Sequence, residues 1–238
     1  MTEKTHGALA IFVRSPQASQ THHRLSKTLG KIAAETFHHL SAQAMESVAL
    51  EAQRESPELF ISYWALDEHV QPDSQWKNFA VISQGEGTLG ERYCRVYNEL
   101  LRLHKYVLIM SIDSPQLAPE DLTRAAELAS NLEDVILGPT EHGGFYIFGG
   151  SKPIPVEVWN AIPFDVRDTI KVMRELMGHF GKVVELSKHY DVDSMDDLQT
   201  LELDFATKLH QLGRDSLLPE QVLVFNWVRG ITAQYGVH

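Results

Sequence analysis

The sequence predicts an α/β protein of three layers, with helices on both faces of a mostly parallel central sheet. Three observations carry this. Short apolar runs alternate with segments of helical periodicity along almost the whole chain. The runs are continuous rather than alternating, as expected of strands covered on both faces. One of them, Tyr106-Val107-Leu108-Ile109-Met110, leads straight into Ser111-Ile112-Asp113-Ser114-Pro115, so an acid stands where the strand should stop. In open α/β sheets the working groups lie just beyond the carboxyl ends of the strands. A carboxylate there can hold a divalent cation against a phosphate; its other reading is an aspartate that caps the following turn.

The elements follow in order. Residues 8–13 read as the first strand. A polar loop runs from Arg14 through Thr21, and a single helical stretch covers 26–53. Residues 59–66 form a second strand closed by Asp67-Glu68, and 79–82 a short third one. The glycine-rich turn Gln84-Gly85-Glu86-Gly87-Thr88-Leu89-Gly90 opens a helix in which Leu89, Tyr93, Val96, Leu100 and Leu103 share one face. After the strand ending near Asp113, Pro119 sits in the first turn of another helix. Strands at 134–139 and 145–148, a helix over 167–178 and a strand at 183–186 come next. Ser194-Met195-Asp196-Asp197 has capping-box form and starts a helix reaching about His210. Pro219 opens a last amphipathic helix through Ile231. One domain over residues 1–204, with a C-terminal helical extension over 205–238 packed on it, is the organisation these elements suggest.

Composition narrows the function. A formal charge of −11 argues against a general nucleic-acid binder. It leaves room for a nucleotide, because backbone amides, one or two arginines and a metal ion suffice for one diphosphate. No apolar stretch approaches the ~20 residues that cross a bilayer, and the first residues lack a secretory core. The single cysteine, Cys94, falls in a helical pattern and can close no intrachain disulfide, so a cytoplasmic location is expected. The twelve histidines are scattered; the adjacent pairs His22-His23 and His38-His39 do not share a helix face.

Five segments in order, 12–25, 84–92, 111–117, 135–146 and 191–198, resemble the bacterial glycosyltransferase-like proteins of the GT-A fold, described as nucleotide-diphospho-sugar transferases or DUF2064 proteins. The resemblance spans about residues 8–200. The nucleotidyltransferases that build molybdopterin dinucleotides or activate phospholactate are more distant kin sharing the nucleotide-binding half. The resemblance implies a GT-A-like sheet, a nucleotide-diphospho-sugar donor and Mg²⁺ or Mn²⁺. Phe12, Arg14, Ser15, Arg24, Gln84, Gly85 and Asp113 would bind the nucleotide, with Asp113 on the metal. Gly143, Gly144 and Tyr146 would form the donor and acceptor pocket.

Asp191 and Asp193 would face the cleft together, since residues two apart in an extended segment point the same way. One of them would be a second metal ligand; a structural role is the other reading. Asp196 and Asp197 are explained by the helix amino terminus, where negative charge is favourable by ~0.3–1 kcal/mol. The chain departs from the family pattern at Ser19 in place of a glycine and at His22 in place of a lysine, which loosens the grip on a diphosphate. It departs again at His142 in place of an acid, with Glu141 one position earlier. His142 and Glu141 are the candidate catalytic residues; a histidine there can take a proton but brings no fixed negative charge. The implied activity is glycosyl transfer to an unidentified acceptor. A nucleotidyltransferase of the same fold, or a nucleotide-binding protein with impaired catalysis, are the alternatives.

Overall fold

The computed structural model describes residues 6–15, 20–70, 74–164 and 166–235. Ser19 and the side chain of His22 lie outside the described set. Strand β1 (Gly7–Val13), wholly buried, is third in a sheet of seven strands ordered β3-β2-β1-β4-β6-β5-β7. Its partners are β2 (Phe60–Leu66), which pairs on outward to β3 (Ala80–Ser83), and β4 (Val107–Ser111) on the other side. All of these pairings are parallel. Beyond β4 come β6 (Phe145–Gly150), β5 (Asp134–Pro139) and β7 (Lys182–Glu185); β6 alone runs antiparallel to its neighbours. The strand order therefore turns outward in opposite directions from β1 and β4, which makes the crevice at their carboxyl ends the switch point where such sheets take ligands.

Both faces are covered because the strand side chains on both faces are apolar. On one face Leu9, Ile11, Trp64, Leu108 and Met110 pack against α2 (Lys31–Glu55) and α4 (Pro119–Ala129). On the other, Ala8, Ala10, Phe12, Val107 and Ile109 meet α3 (Leu89–Leu103), α5 (Val156–Asn160) and α6 (Thr169–Met177). A third cluster, including Leu25, Phe37, Leu198, Phe205 and Val224, joins α1 (Gln20–Leu29) and α2 to α7 (Met195–Leu212) and α8 (Pro219–Tyr235).

Two elements differ from the sequence reading. The single helix expected over 26–53 is two, α1 starting at Gln20 inside the expected loop and α2 following after Gly30. Gly30 takes φ +85°, a left-handed conformation that ends the first helix, and the apolar periodicity on either side conceals the break. The short α5 has no counterpart in the periodicity, being too brief to show one. The expected starts at Pro119 and Ser194 agree with the capping geometry: Ser194 Oγ accepts from the Asp197 amide, and the Asp197 carboxylate accepts from the Ser194 amide at 2.8 Å. Helix α7 runs unbroken through residues 204 and 205. Among the described residues no helix is long and apolar enough to cross a membrane.

Candidate functional site

The register of β1 on β4, with Phe12 opposite Ser111, sends the two chains out of the sheet side by side, so that Arg14 and Asp113 emerge together. There a cavity of about 330 Å³ opens, lined among others by Arg14, Arg24, Asp113, His142, Asp191, Asp193 and Asp197. Asp113 also borders a smaller recess with Phe12, Arg14, His38 and Tyr93, so it stands where the cavity continues toward the end of β1.

The loop after β4 is stitched to a segment some eighty positions later in the chain. The Val192 amide donates to the Asp113 carbonyl at 2.9 Å, and Ser114 Oγ donates to the Tyr190 carbonyl at 3.0 Å. Gln116 Nε2 reaches the same Tyr190 carbonyl. Val192 is buried, and its flanking neighbours Asp191 and Asp193 therefore both turn to the cavity, as their spacing predicts.

His142 enters from the loop between β5 and β6. That loop closes on itself: the Thr140 amide donates to the Gly144 carbonyl at 3.0 Å, and the Gly143 amide to the Thr140 carbonyl at 3.1 Å. Gly143 is required twice over. Its φ is +86°, and a Cβ there would sit 1.9 Å from the Arg167 carbonyl oxygen. His142 Nδ1 lies 3.1 Å from Asp191 Oδ1 and Nε2 3.6 Å from Asp197 Oδ1. His142, Asp191 and Asp193 each offer a donor atom, all within 4.8 Å of one another. Burial, and then the adjacent Asp193 carboxylate, push the Asp191 carboxyl above its usual range in spite of His142. Arg24 forms an ion pair with Asp193.

The predicted residues divide clearly. Arg14, Arg24, Asp113, His142, Gly144, Asp191 and Asp193 line the cavity, and Phe12 lines the recess. Glu141 is exposed and outside the lining, and Gly143 supports the loop rather than the wall. Tyr146 is buried on the sheet, its hydroxyl donating to the Ser187 carbonyl at 3.2 Å. Ser15 is buried, its hydroxyl without a hydrogen-bond partner among the described residues. Gln84 is buried too, donating through Nε2 to the Val13 carbonyl at 3.0 Å and the Ala65 carbonyl at 2.8 Å, so it ties the ends of β1 and β2 together. The turn that follows it, through Gly85, is held by the α3 guanidinium groups: Arg95 donates to the Gln84 and Glu86 carbonyls and Arg92 to the Gly87 carbonyl.

The lining also includes residues absent from the sequence reading of the site. Among them are Tyr93, Phe145, Phe164, Val166, Arg167 and Thr169, and Asp197 adds a carboxylate oxygen while its other oxygen caps α7. Tyr93 was legible only as a core position and Arg167 only as the start of a helix; neither lies in a segment with a motif.

Fold and site together define the chain as a three-layer α/β protein of the GT-A-like fold with a ligand cavity at its switch point. It belongs to the DUF2064 family, described as an uncharacterized protein conserved in bacteria, whose model matches residues 47–165. A solved structure from Desulfovibrio desulfuricans G20, provisionally assigned as a nucleotide-diphospho-sugar transferase, superimposes with a TM-score of 0.74 at 19% identity, covering 98% of this chain and 99% of that one. A nucleotidyl transferase from a Methanothermobacter species gives 0.53 at 12% identity, covering 86% of this chain and 100% of its own. A cytidylyltransferase from Leptospira borgpetersenii gives 0.50 at 11% identity, covering 99% and 98%. At these identities the likeness establishes the fold. No curated protein matches the chain.

Proposed function

We propose that the chain is a metal-dependent glycosyltransferase that takes a nucleotide-diphospho-sugar donor. The observation that carries the reading is the convergence of Asp113, the His142, Asp191 and Asp193 donor set, Arg14 and Arg24 on one cavity at the switch point of the sheet. The donor set fits a divalent ion, because burial and then the neighbouring Asp193 carboxylate disfavour the charged form of Asp191, and a cation between the two carboxylates favours it. His142, Asp191 and Asp193 would hold Mn²⁺ or Mg²⁺, with Asp113 presenting a further carboxylate on the phosphate side. A bound divalent cation would offset the charge that develops on the departing diphosphate.

Arg14 and Arg24 serve the donor phosphates, and the rigid turn through Gly85 serves the nucleoside. His142 thus acts as a ligand rather than as a base, and Glu141 takes no part. The acceptor hydroxyl oxygen bonds to the anomeric carbon. The bond from that carbon to the diphosphate oxygen breaks with its electron pair, and the acceptor proton passes to the departing diphosphate.

Titration calorimetry with a panel of nucleotide sugars in Mn²⁺ tests this. Micromolar binding of one donor, lost in Asp113→Asn, is expected, together with slow metal-dependent release of the nucleoside diphosphate. Failure of every nucleotide sugar to bind would end the reading, and turnover of nucleoside triphosphates to pyrophosphate would replace it with nucleotidyl transfer.

A further inference from the structure

We infer that the acceptor is an anion, a carboxylate or phosphate monoester, and that Arg167 is the residue that recognises it. This rests on the transfer-site reading of the cavity and deepens it. Among the described residues three arginines line the cavity, and they are not equivalent. Arg14 follows β1 and Arg24 comes from α1, where it pairs with Asp193; both are assigned above to the donor phosphates. Arg167 comes from the loop before α6, its backbone packed directly under Gly143, the residue that follows His142.

Arg167 is exposed, lines the cavity, and makes no hydrogen bond or ion pair with any described residue. The aspartates that line the cavity have other partners. Asp193 pairs with Arg24, Asp191 faces His142, and Asp197 accepts from Ser194 and from the Asp193 amide. Among the described residues the Arg167 guanidinium thus remains a two-pronged donor without a partner, sharing the lining with Phe145, Phe164 and Thr169. Such a fork matches a carboxylate or phosphate in a bidentate arrangement, and a neutral hydroxyl compound leaves it unused. The aromatic surfaces beside it suit the carbon skeleton that carries the anion. The start of α6 at Thr169, two residues on and also in the lining, adds its partial positive charge to the same cavity.

The test uses the full chain and three matched small probes, glycerol 3-phosphate, glycerate and glycerol, observed by ligand-detected NMR with and without Mn²⁺. The two anions should bind and glycerol should not. Arg167→Ala should weaken the anions at least tenfold and Arg167→Lys about threefold, with unchanged thermal melting. Binding of Mn²⁺ with inorganic pyrophosphate, standing for the donor phosphates, should be unaffected by either variant. Equal binding of glycerol and the anions overturns the inference, as does an Arg167→Ala variant that keeps its anion affinity. Equal loss of pyrophosphate and anion affinity also overturns it, because the guanidinium then belongs to the donor. If the anions bind through Arg167 but neither pyrophosphate nor any nucleotide sugar does, the transferase reading fails while the anion site stands.

Discussion

The Val192 amide donates to the Asp113 carbonyl at 2.9 Å, and this one bond sets the geometry between the acid at the tip of β4 and the pair of acids in the segment before α7. It is reinforced from behind. Gln221 on α8, itself buried, donates through Nε2 to the Pro115 and Leu117 carbonyls at 2.9 Å each, and its Oε1 accepts from the Leu218 amide at 3.1 Å. The last helix therefore braces the loop that holds the site. Gln221→Leu should cost about 2–3 kcal/mol, because polar backbone groups are left buried and unpaired. Urea denaturation would register the loss, and Mn²⁺ titration a weaker affinity. An unchanged metal affinity would show that the brace does not reach the acids.

Arg24 would compete with a bound cation for Asp193, since both need the same carboxylate. Arg24→Ala should accordingly tighten Mn²⁺ binding by roughly three- to tenfold, the size expected of a partly exposed charge pair worth about 1 kcal/mol. The same variant should weaken nucleoside diphosphate binding, so the two affinities move in opposite directions. Calorimetry with each ligand separately would detect the split, and a parallel fall in both would remove Arg24 from the competition.

The legible part of the molecule is the part set by local pattern. Strand positions, the caps at Pro119 and Ser194, the acid at the end of β4 and the shared orientation of Asp191 and Asp193 all follow from short-range rules of periodicity and turn chemistry. Gly30 defeated the pattern because a left-handed residue interrupts the backbone without interrupting the apolar spacing. Gln84 and Tyr146 lay in segments that resemble a ligand-binding motif, yet their side chains are turned into the protein by bonds to strand-end and loop carbonyls. Arg167 and Phe164 reach the cavity only because the loop before α6 is packed under Gly143, a long-range contact that no local pattern encodes. The role of His142 was open for the same reason: its two carboxylate neighbours come from 49 and 55 positions later in the chain.

The pH response of the metal-free protein follows from Asp191. Its carboxyl is raised above the ordinary 3.8 by burial and then by Asp193. Between the unfolded value and the raised folded value the native state holds more protons than the unfolded chain, so stability falls as pH rises through that interval. Above it the full penalty is present, and below 3.8 it is absent. Saturating Mn²⁺ should flatten this descent, and Asp193→Asn should reduce it by removing the neighbouring charge. Denaturation midpoints from pH 3.5 to 7 with and without Mn²⁺ would show both effects; a descent untouched by Mn²⁺ would place the ion away from Asp191.

Replacement of His142 separates its two possible contributions. As a ligand, the imidazole nitrogen makes the set one nitrogen and two carboxylates, which suits Mn²⁺ better than Mg²⁺, a hard ion that prefers an all-oxygen shell. His142→Asp restores an all-oxygen set and adds a negative charge, so Mg²⁺ affinity should rise about tenfold, or ~1.4 kcal/mol, while Mn²⁺ affinity changes much less. His142→Ala should weaken Mn²⁺ about tenfold and leave Mg²⁺ nearly as weak as before. Without metal, the aspartate variant should be the less stable of the two at pH 7, because another carboxylate then faces Asp191 and Asp197. Calorimetric titration with each metal, in the absence of nucleotide, distinguishes the outcomes. Equal gains for both ions in His142→Asp would mean that only charge changed, and that the histidine had never been bound to the cation.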